Sequence, residues 1–94
     1  MAIRSFRGKW AEPLFKDELP RGFPPDVFSA ARRKLLLLNQ ARRLDDLRNP
    51  PANRLEVLKG DRRGQFSIRI NSKWRICFFW SDGHAENVEV VDYH

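Results

Sequence analysis

The chain has 94 residues, of which 41% are hydrophobic and 32% charged, and its net charge is +6. That length suits one domain spanning residues 1–94. The longest uncharged apolar runs, Leu35–Leu38 and Ile76–Trp80, fall far short of the about 20 residues that a membrane span needs. A single cysteine, Cys77, excludes an intramolecular disulfide framework, and the opening Met1-Ala2-Ile3-Arg4-Ser5-Phe6-Arg7 lacks the apolar stretch of a secretory signal. A cytoplasmic protein without membrane contact is therefore expected.

In chain order, Ile3–Phe6 is a candidate edge strand. Trp10, Leu14, Phe15 and Leu19 recur at helical spacing, and Pro13 suits a first turn. Pro20-Arg21-Gly22-Phe23-Pro24-Pro25 breaks that helix. A second helix starts at Asp26, an acid in the first turn where the helix dipole favours it. Its apolar stripe is Val27, Ala31, Leu35 and Leu38, with Arg32, Arg33 and Lys34 assigned to the outside. Leu44-Asp45-Asp46-Leu47 reads as one more helical turn, and Asn49-Pro50-Pro51-Ala52-Asn53 as a loop.

After Asn53 the hydrophobic period changes from about 3.6 to about 2. Leu55 and Val57 alternate with Arg54 and Glu56. Phe66, Ile68 and Ile70 alternate with Gln65, Ser67 and Arg69. Trp74, Ile76, Phe78 and Trp80 alternate with Arg75, Cys77 and Phe79, and Val88 and Val90 with Asn87 and Glu89. Turn-like separators lie at Lys59–Gly64, Asn71-Ser72-Lys73 and Ser81-Asp82-Gly83-His84. The expected architecture is α+β, with two N-terminal helices packed on one face of a mostly antiparallel four-strand sheet.

Parity then brings particular residues together. A turn centred on Ser72 keeps the apolar positions of the second and third strands in register and sets Arg69 opposite Arg75 on the other face. Like charges opposed across a strand pair are destabilising, so two guanidiniums there invite an anion. A turn near Gly83 sets Arg75 across from Val91 and puts Tyr93 on that same face. Glu56 joins them if Leu55 and Val57 point to the core. His94 falls on the opposite parity.

The charge distribution points the same way. Residues 53–75 hold Arg54, Lys59, Arg62, Arg63, Arg69, Lys73 and Arg75 against Glu56 and Asp61, a net of +5; residues 76–94 hold four acids and no Lys or Arg, a net of −4. Such clustering marks nucleic-acid binders, although a high net charge also serves solubility. Arginine suits a phosphodiester because its planar fork matches phosphate oxygens and stays charged. Cleaving RNA without a metal needs a base for the 2′-hydroxyl, cations for the charge developing on phosphorus, and an acid for the leaving oxygen. Glu56, the Arg69/Arg75 pair, and Tyr93 or His94 have the chemistry for these roles. The plainer use of the same residues is Glu56 neutralising Arg69, with Arg75 lying on an exposed surface. No cofactor or metal is expected: His84 and His94 have no partner at ligand spacing, and Glu89 and Asp92 differ in parity. Cys77 reads as a packed residue rather than a nucleophile.

The run Asn53-Arg54-Leu55-Glu56-Val57-Leu58-Lys59-Gly60-Asp61-Arg62-Arg63-Gly64-Gln65-Phe66-Ser67-Ile68-Arg69-Ile70-Asn71, with Trp74-Arg75-Ile76-Cys77-Phe78 and Val91-Asp92-Tyr93-His94, resembles the HigB-type toxins, or plasmid-maintenance killer proteins, of the RelE/ParE toxin superfamily. The resemblance covers essentially the whole chain. It implies a microbial RNase-like fold and metal-independent cleavage of mRNA on the translating ribosome. It also implies a HigA-like helix-turn-helix antitoxin, through which the complex binds its own operator DNA. By position, Lys59, Arg75, Asp92, Tyr93 and His94 match family residues implicated in cleavage or RNA binding, and Arg69 belongs to the Ser-Ile-Arg-Ile-Asn form of the motif. Together with the parity reading, this makes Glu56, Arg69, Arg75, Tyr93 and His94 the expected catalytic set. Arg54, Lys59, Arg62, Arg63, Lys73 and Asp92 are the expected RNA contacts. Glu56 departs from the family, since a well-studied branch has a histidine there. The resemblance also admits a same-fold toxin without nuclease activity, acting on DNA gyrase or ribosome assembly.

Overall fold

The structure, a computed structural model, describes residues 1–92; Tyr93 and His94, both expected site residues, lie outside the described residues. Four antiparallel strands form one sheet in the order β1-β2-β3-β4: β1 is Glu56–Val57, β2 Phe66–Arg69, β3 Trp74–Ser81 and β4 His84–Asp92. One long helix, α2 (Phe28–Gln40), and one short helix, α1 (Ala11–Phe15), precede the sheet, so the expected helical pair is one long helix plus one turn. α1 stops early because Asp17 turns into the left-handed region at φ 66° and the Pro20–Pro25 breaker follows. Leu19, expected on its apolar face, lies outside it and is 49% exposed.

α2 follows its sequence pattern closely. A 3₁₀ turn at Pro25–Val27 leads into it, and Val27, Ala31, Leu35 and Leu38 are all buried. They meet Ile68, Ile70, Trp74, Ile76 and Phe78 from the sheet in one core. Burial of such side chains contributes about 1.5–3 kcal/mol each. An aromatic chain ties α1 to β3: Trp10 to Phe23 at 5.5 Å between ring centroids, and Phe23 to Trp74 at 4.9 Å. Lys34 is a correction. It was assigned to the outside, yet it is only 7% exposed.

β2 and β3 pair as parity required, with Arg69 opposite Arg75 and Ile68 opposite Ile76. Arg75 also lies opposite Val91, but the route differs from the one expected. The β3–β4 turn is the two-residue Asp82-Gly83, both at positive φ (52° and 79°), as a type I′ hairpin demands. Near it Trp80 pairs with Ala85. A bulge between Cys77 and Phe79, with Asn87 at φ 52°, then shifts the ladder by one residue to give Cys77–Glu89 and Arg75–Val91. Ile3–Phe6 runs parallel to β4 through bridges at Ala85 and Val88, with the Arg4 amide donating to the Ala85 carbonyl at 2.8 Å. It thereby covers that sheet edge.

The opposite edge carries a second correction. Val57 was expected in the core and is 68% exposed, because β1 has two residues and α1 and α2 pack over β4 instead. No helix among the described residues is long and apolar enough to cross a membrane.

Candidate functional site

The face opposite α2 is less open than parity alone suggests. Ser67 and Cys77 point to it and both are fully buried. The β1–β2 loop closes over them. Arg62 Nη1 pairs with Glu89 Oε1 at 3.1 Å, beside Cys77, and Gly64 comes so near Phe79 that a Cβ there would sit 3.5 Å from its ring. Burial pushes the Cys77 thiol above its ordinary range, more than nearby Arg62 lowers it. The thiolate is therefore disfavoured, consistent with packing rather than nucleophilic chemistry.

Arg75 anchors the centre of this face. It is 8% exposed. Its Nε donates to Ser67 Oγ at 2.8 Å, one Nη2 hydrogen bond goes to the Arg54 carbonyl at 2.8 Å, and Nη2 lies 3.0 Å from Glu56 Oε1. A buried guanidinium needs such a partner set to offset its desolvation. Arg54 is left-handed at φ 47°, capping the Pro51–Asn53 turn, and this aims its carbonyl at Arg75. The ion pair thus joins Glu56 to Arg75, where the plainer reading of the sequence had Glu56 neutralising Arg69 with Arg75 on the surface. Register explains it: Glu56 faces Ser67, and the long Arg75 side chain lies back over Ser67 toward β1.

Arg69 is half-buried and opposite Arg75, but its Nε donates to the Asn71 carbonyl at 3.0 Å. The two arginines are neighbours with different partners. Asn71 builds the β2–β3 turn by accepting from the Lys73 and Trp74 amides, both at 2.8 Å, which leaves Lys73 exposed at its tip. Lys59 and Arg63 are exposed in the β1–β2 loop, and Asp92 is exposed and paired in register with Trp74. The structure therefore brings together Glu56, Arg75 and Arg54, with Arg69 adjacent. Arg62 is spent on Glu89 at the far side of the loop. Among the described residues no group of three His, Cys, Asp or Glu could hold a metal ion.

Two cations that the sequence reading left out of the site border it. A groove of about 290 Å³ is lined by Arg33, Lys34, Ala52, Arg54, Arg69 and Ile70. Lys34 Nζ donates to Asn53 Oδ1, and Asn53 Nδ2 is fixed by the Leu47 and Asn49 carbonyls at 3.1 and 3.2 Å. Burial, then the charge of Arg33, hold the Lys34 pKa below its ordinary value. A signal existed: position 34 lies three residues after Ala31 and four before Leu38, on the flank of the buried stripe. Its charge argued for the outside, and its spacing did not.

A family model described as the RelE-like toxin of the type II toxin–antitoxin system HigB matches residues 4–94. The chain is 42% identical over 83 residues to Toxin HigB-1 of Vibrio cholerae, covering 87% of each. It is 33% identical over 92 residues to Endoribonuclease HigB of Proteus vulgaris, covering 98% of this chain and 99% of that one. An uncharacterized protein of Haemophilus influenzae is 31% identical over 65 residues, 69% of this chain and 64% of that one.

Proposed function

The chain belongs to the HigB-like family of RelE-like toxins of type II toxin–antitoxin systems, and from that premise we propose that it is a metal-independent endoribonuclease that cuts mRNA on the ribosome. A toxin of this class has a cognate antitoxin; we assign that partner as a HigA-like helix-turn-helix protein, whose complex with the toxin represses the operon. The observation that carries the reading is the clamped Arg75 guanidinium with Glu56 against it at 3.0 Å. It sits on the strand pair where Arg69 adds a second positive charge.

The chemistry follows from these groups. The Glu56 carboxylate takes the proton of a 2′-hydroxyl. The 2′-oxygen bonds to phosphorus, and charge developing on the phosphoryl oxygens is stabilised by Arg75. The bond to the 5′-oxygen breaks, and that oxygen takes a proton from the Tyr93–His94 pair. The products are a 2′,3′-cyclic phosphate and a 5′-hydroxyl end. Lys59, Arg63, Lys73 and Arg54 hold the RNA backbone, and Asp92 makes a further RNA contact; Arg62 contributes less, since Glu89 already offsets its charge. Positioning by the ribosome supplies much of the rate, as orientation can be worth about 7–11 kcal/mol.

The test is induced expression of wild type and Glu56→Gln, with mRNA 5′ ends mapped with and without translation of the reporter. Expected are cuts at fixed codon positions that require translation, carry 5′-hydroxyls, and fall by about 10²–10⁴-fold in the variant, the usual worth of a general base. Growth arrest without cuts would overturn the nuclease reading in favour of gyrase or ribosome assembly as the target.

A further inference from the structure

The groove between α2 and the β2–β3 end is lined by four cations, Arg33, Lys34, Arg54 and Arg69, and by no carboxylate. None of the four takes part in a salt bridge found among the described residues. The contrast along α2 is local, since the adjacent Arg32 pairs with Asp17 at 3.1 Å. Four cations round one hollow repel each other, and a fold keeps such an arrangement when an anion relieves it. Lys34 sharpens the point. Its ammonium is buried, and its hydrogen-bond partner, Asn53, is neutral. A buried cation facing a neutral amide lacks its counter-charge.

We propose that this groove is a second phosphate site, in which Arg33 and Lys34 of α2, with Arg54 and Arg69, seat an RNA backbone phosphate next to the one held at Arg75. The inference rests on the reading of RNA as substrate. It moves Arg69 from the scissile phosphate to its neighbour and adds two α2 residues to the RNA path. Geometry links the two positions. Arg69 is the cross-strand partner of Arg75, and Arg54 lends its carbonyl to Arg75 while its residue lines the groove. Arg69 is oriented by its Nε bond to the Asn71 carbonyl. A guanidinium fork so held matches two phosphate oxygens. One strand of RNA, entering over α2, thus meets a pair of adjacent anion positions, which fixes the register of the backbone before the bond is cut.

The experiment measures binding of a fully 2′-O-methylated RNA decamer, which cannot be cut, by fluorescence anisotropy over a range of KCl concentrations. Wild type, Arg33→Gln, Arg33→Lys and the control Arg43→Gln are compared. Arg33 is exposed, so its variants keep the fold, and tryptophan fluorescence checks this. Loss of one phosphate contact lowers the slope of log K against log salt by about 0.7 for a single strand. Arg33→Gln is expected to lose that much slope, while Arg33→Lys and Arg43→Gln keep it. An Arg33→Gln slope equal to wild type overturns the groove site, even if wild type cuts mRNA normally. A wild type that binds the decamer and loses slope in Arg33→Gln, yet makes no cuts in cells, sinks the nuclease reading and leaves the groove as an RNA site. A wild type that does not bind the decamer overturns the groove site and leaves the nuclease reading to the mapping of cuts.

Discussion

Arg75 ties the structure of this face to the chemistry proposed for it. Among the described residues it reaches partners on three segments: Ser67 on β2, Arg54 before β1, and Glu56 on β1. Truncation to alanine strips a donor from the fully buried Ser67 Oγ and from the Arg54 carbonyl. Each unsatisfied group costs about 1–3 kcal/mol. Arg75→Ala should therefore lose about 2–6 kcal/mol of stability by urea denaturation, on the same scale, so its loss of toxicity would not separate catalysis from folding. Arg75→Lys keeps the charge and loses the fork. It should unfold at higher urea than Arg75→Ala while cutting mRNA no better, and recovered cutting would show that charge alone suffices.

At the scale of elements, α2 and the segment between α1 and α2 behave differently. α2 is held by its buried stripe, so Leu35→Ala, at a fully buried position, should cost about 2–5 kcal/mol. Leu19→Ala, on the segment where the helical spacing led no helix, should stay within about 0.5 kcal/mol of wild type. Chemical denaturation of the two variants checks the contrast, and a large loss at Leu19 would contradict the packing described. The 3₁₀ turn Leu44–Arg48 buries Leu47 in the core and adds an electrostatic hold at its start. The Arg42 and Arg43 amides donate to Asp46 Oδ2 at 2.9 and 3.0 Å and hold its carboxyl below the usual range. A carboxyl depressed in the folded state adds stability above its ordinary pKa and loses it as pH falls through the folded value.

For the whole molecule the deciding quantity is charge. The net +6 is uneven, and the cations at Arg33, Lys34, Arg54 and Arg69 converge on one groove. The seven salt bridges found among the described residues are mostly exposed, and such pairs are worth about 0–1 kcal/mol. Self-repulsion should therefore win at low salt. Raising NaCl shortens the Debye length from about 30 Å at 0.01 M to about 10 Å at 0.1 M. The melting temperature should rise over that range, by about 4–8 °C for each 1 kcal/mol of repulsion removed. A fall on adding salt would mean that the ion pairs outweigh the repulsion. The same excess of positive charge attracts an anionic strand, so solubility and RNA capture draw on one feature.

Local periodicity was enough to read most of the scaffold. A period of two placed Arg69 opposite Arg75, and a helical period picked out Val27, Ala31, Leu35 and Leu38, because each pattern records which face of an element is buried; Arg75 meets Val91 only through the bulge between Cys77 and Phe79, which no period records. What it could not record is which side chains meet across elements far apart in the chain. Glu56 and Ser67 share a face by parity, but that Arg75 reaches both, rather than leaving Glu56 to Arg69, depends on how far a long side chain travels over its neighbour. The exposure of Val57 depends on α1 and α2 packing over the opposite edge. The burial of Lys34 depends on Asn53, nineteen residues away, being folded back to receive it. Pattern is a property of one segment and its solvent, whereas the groove and the clamp on Arg75 are made where several segments converge, and only the packed chain brings those segments together.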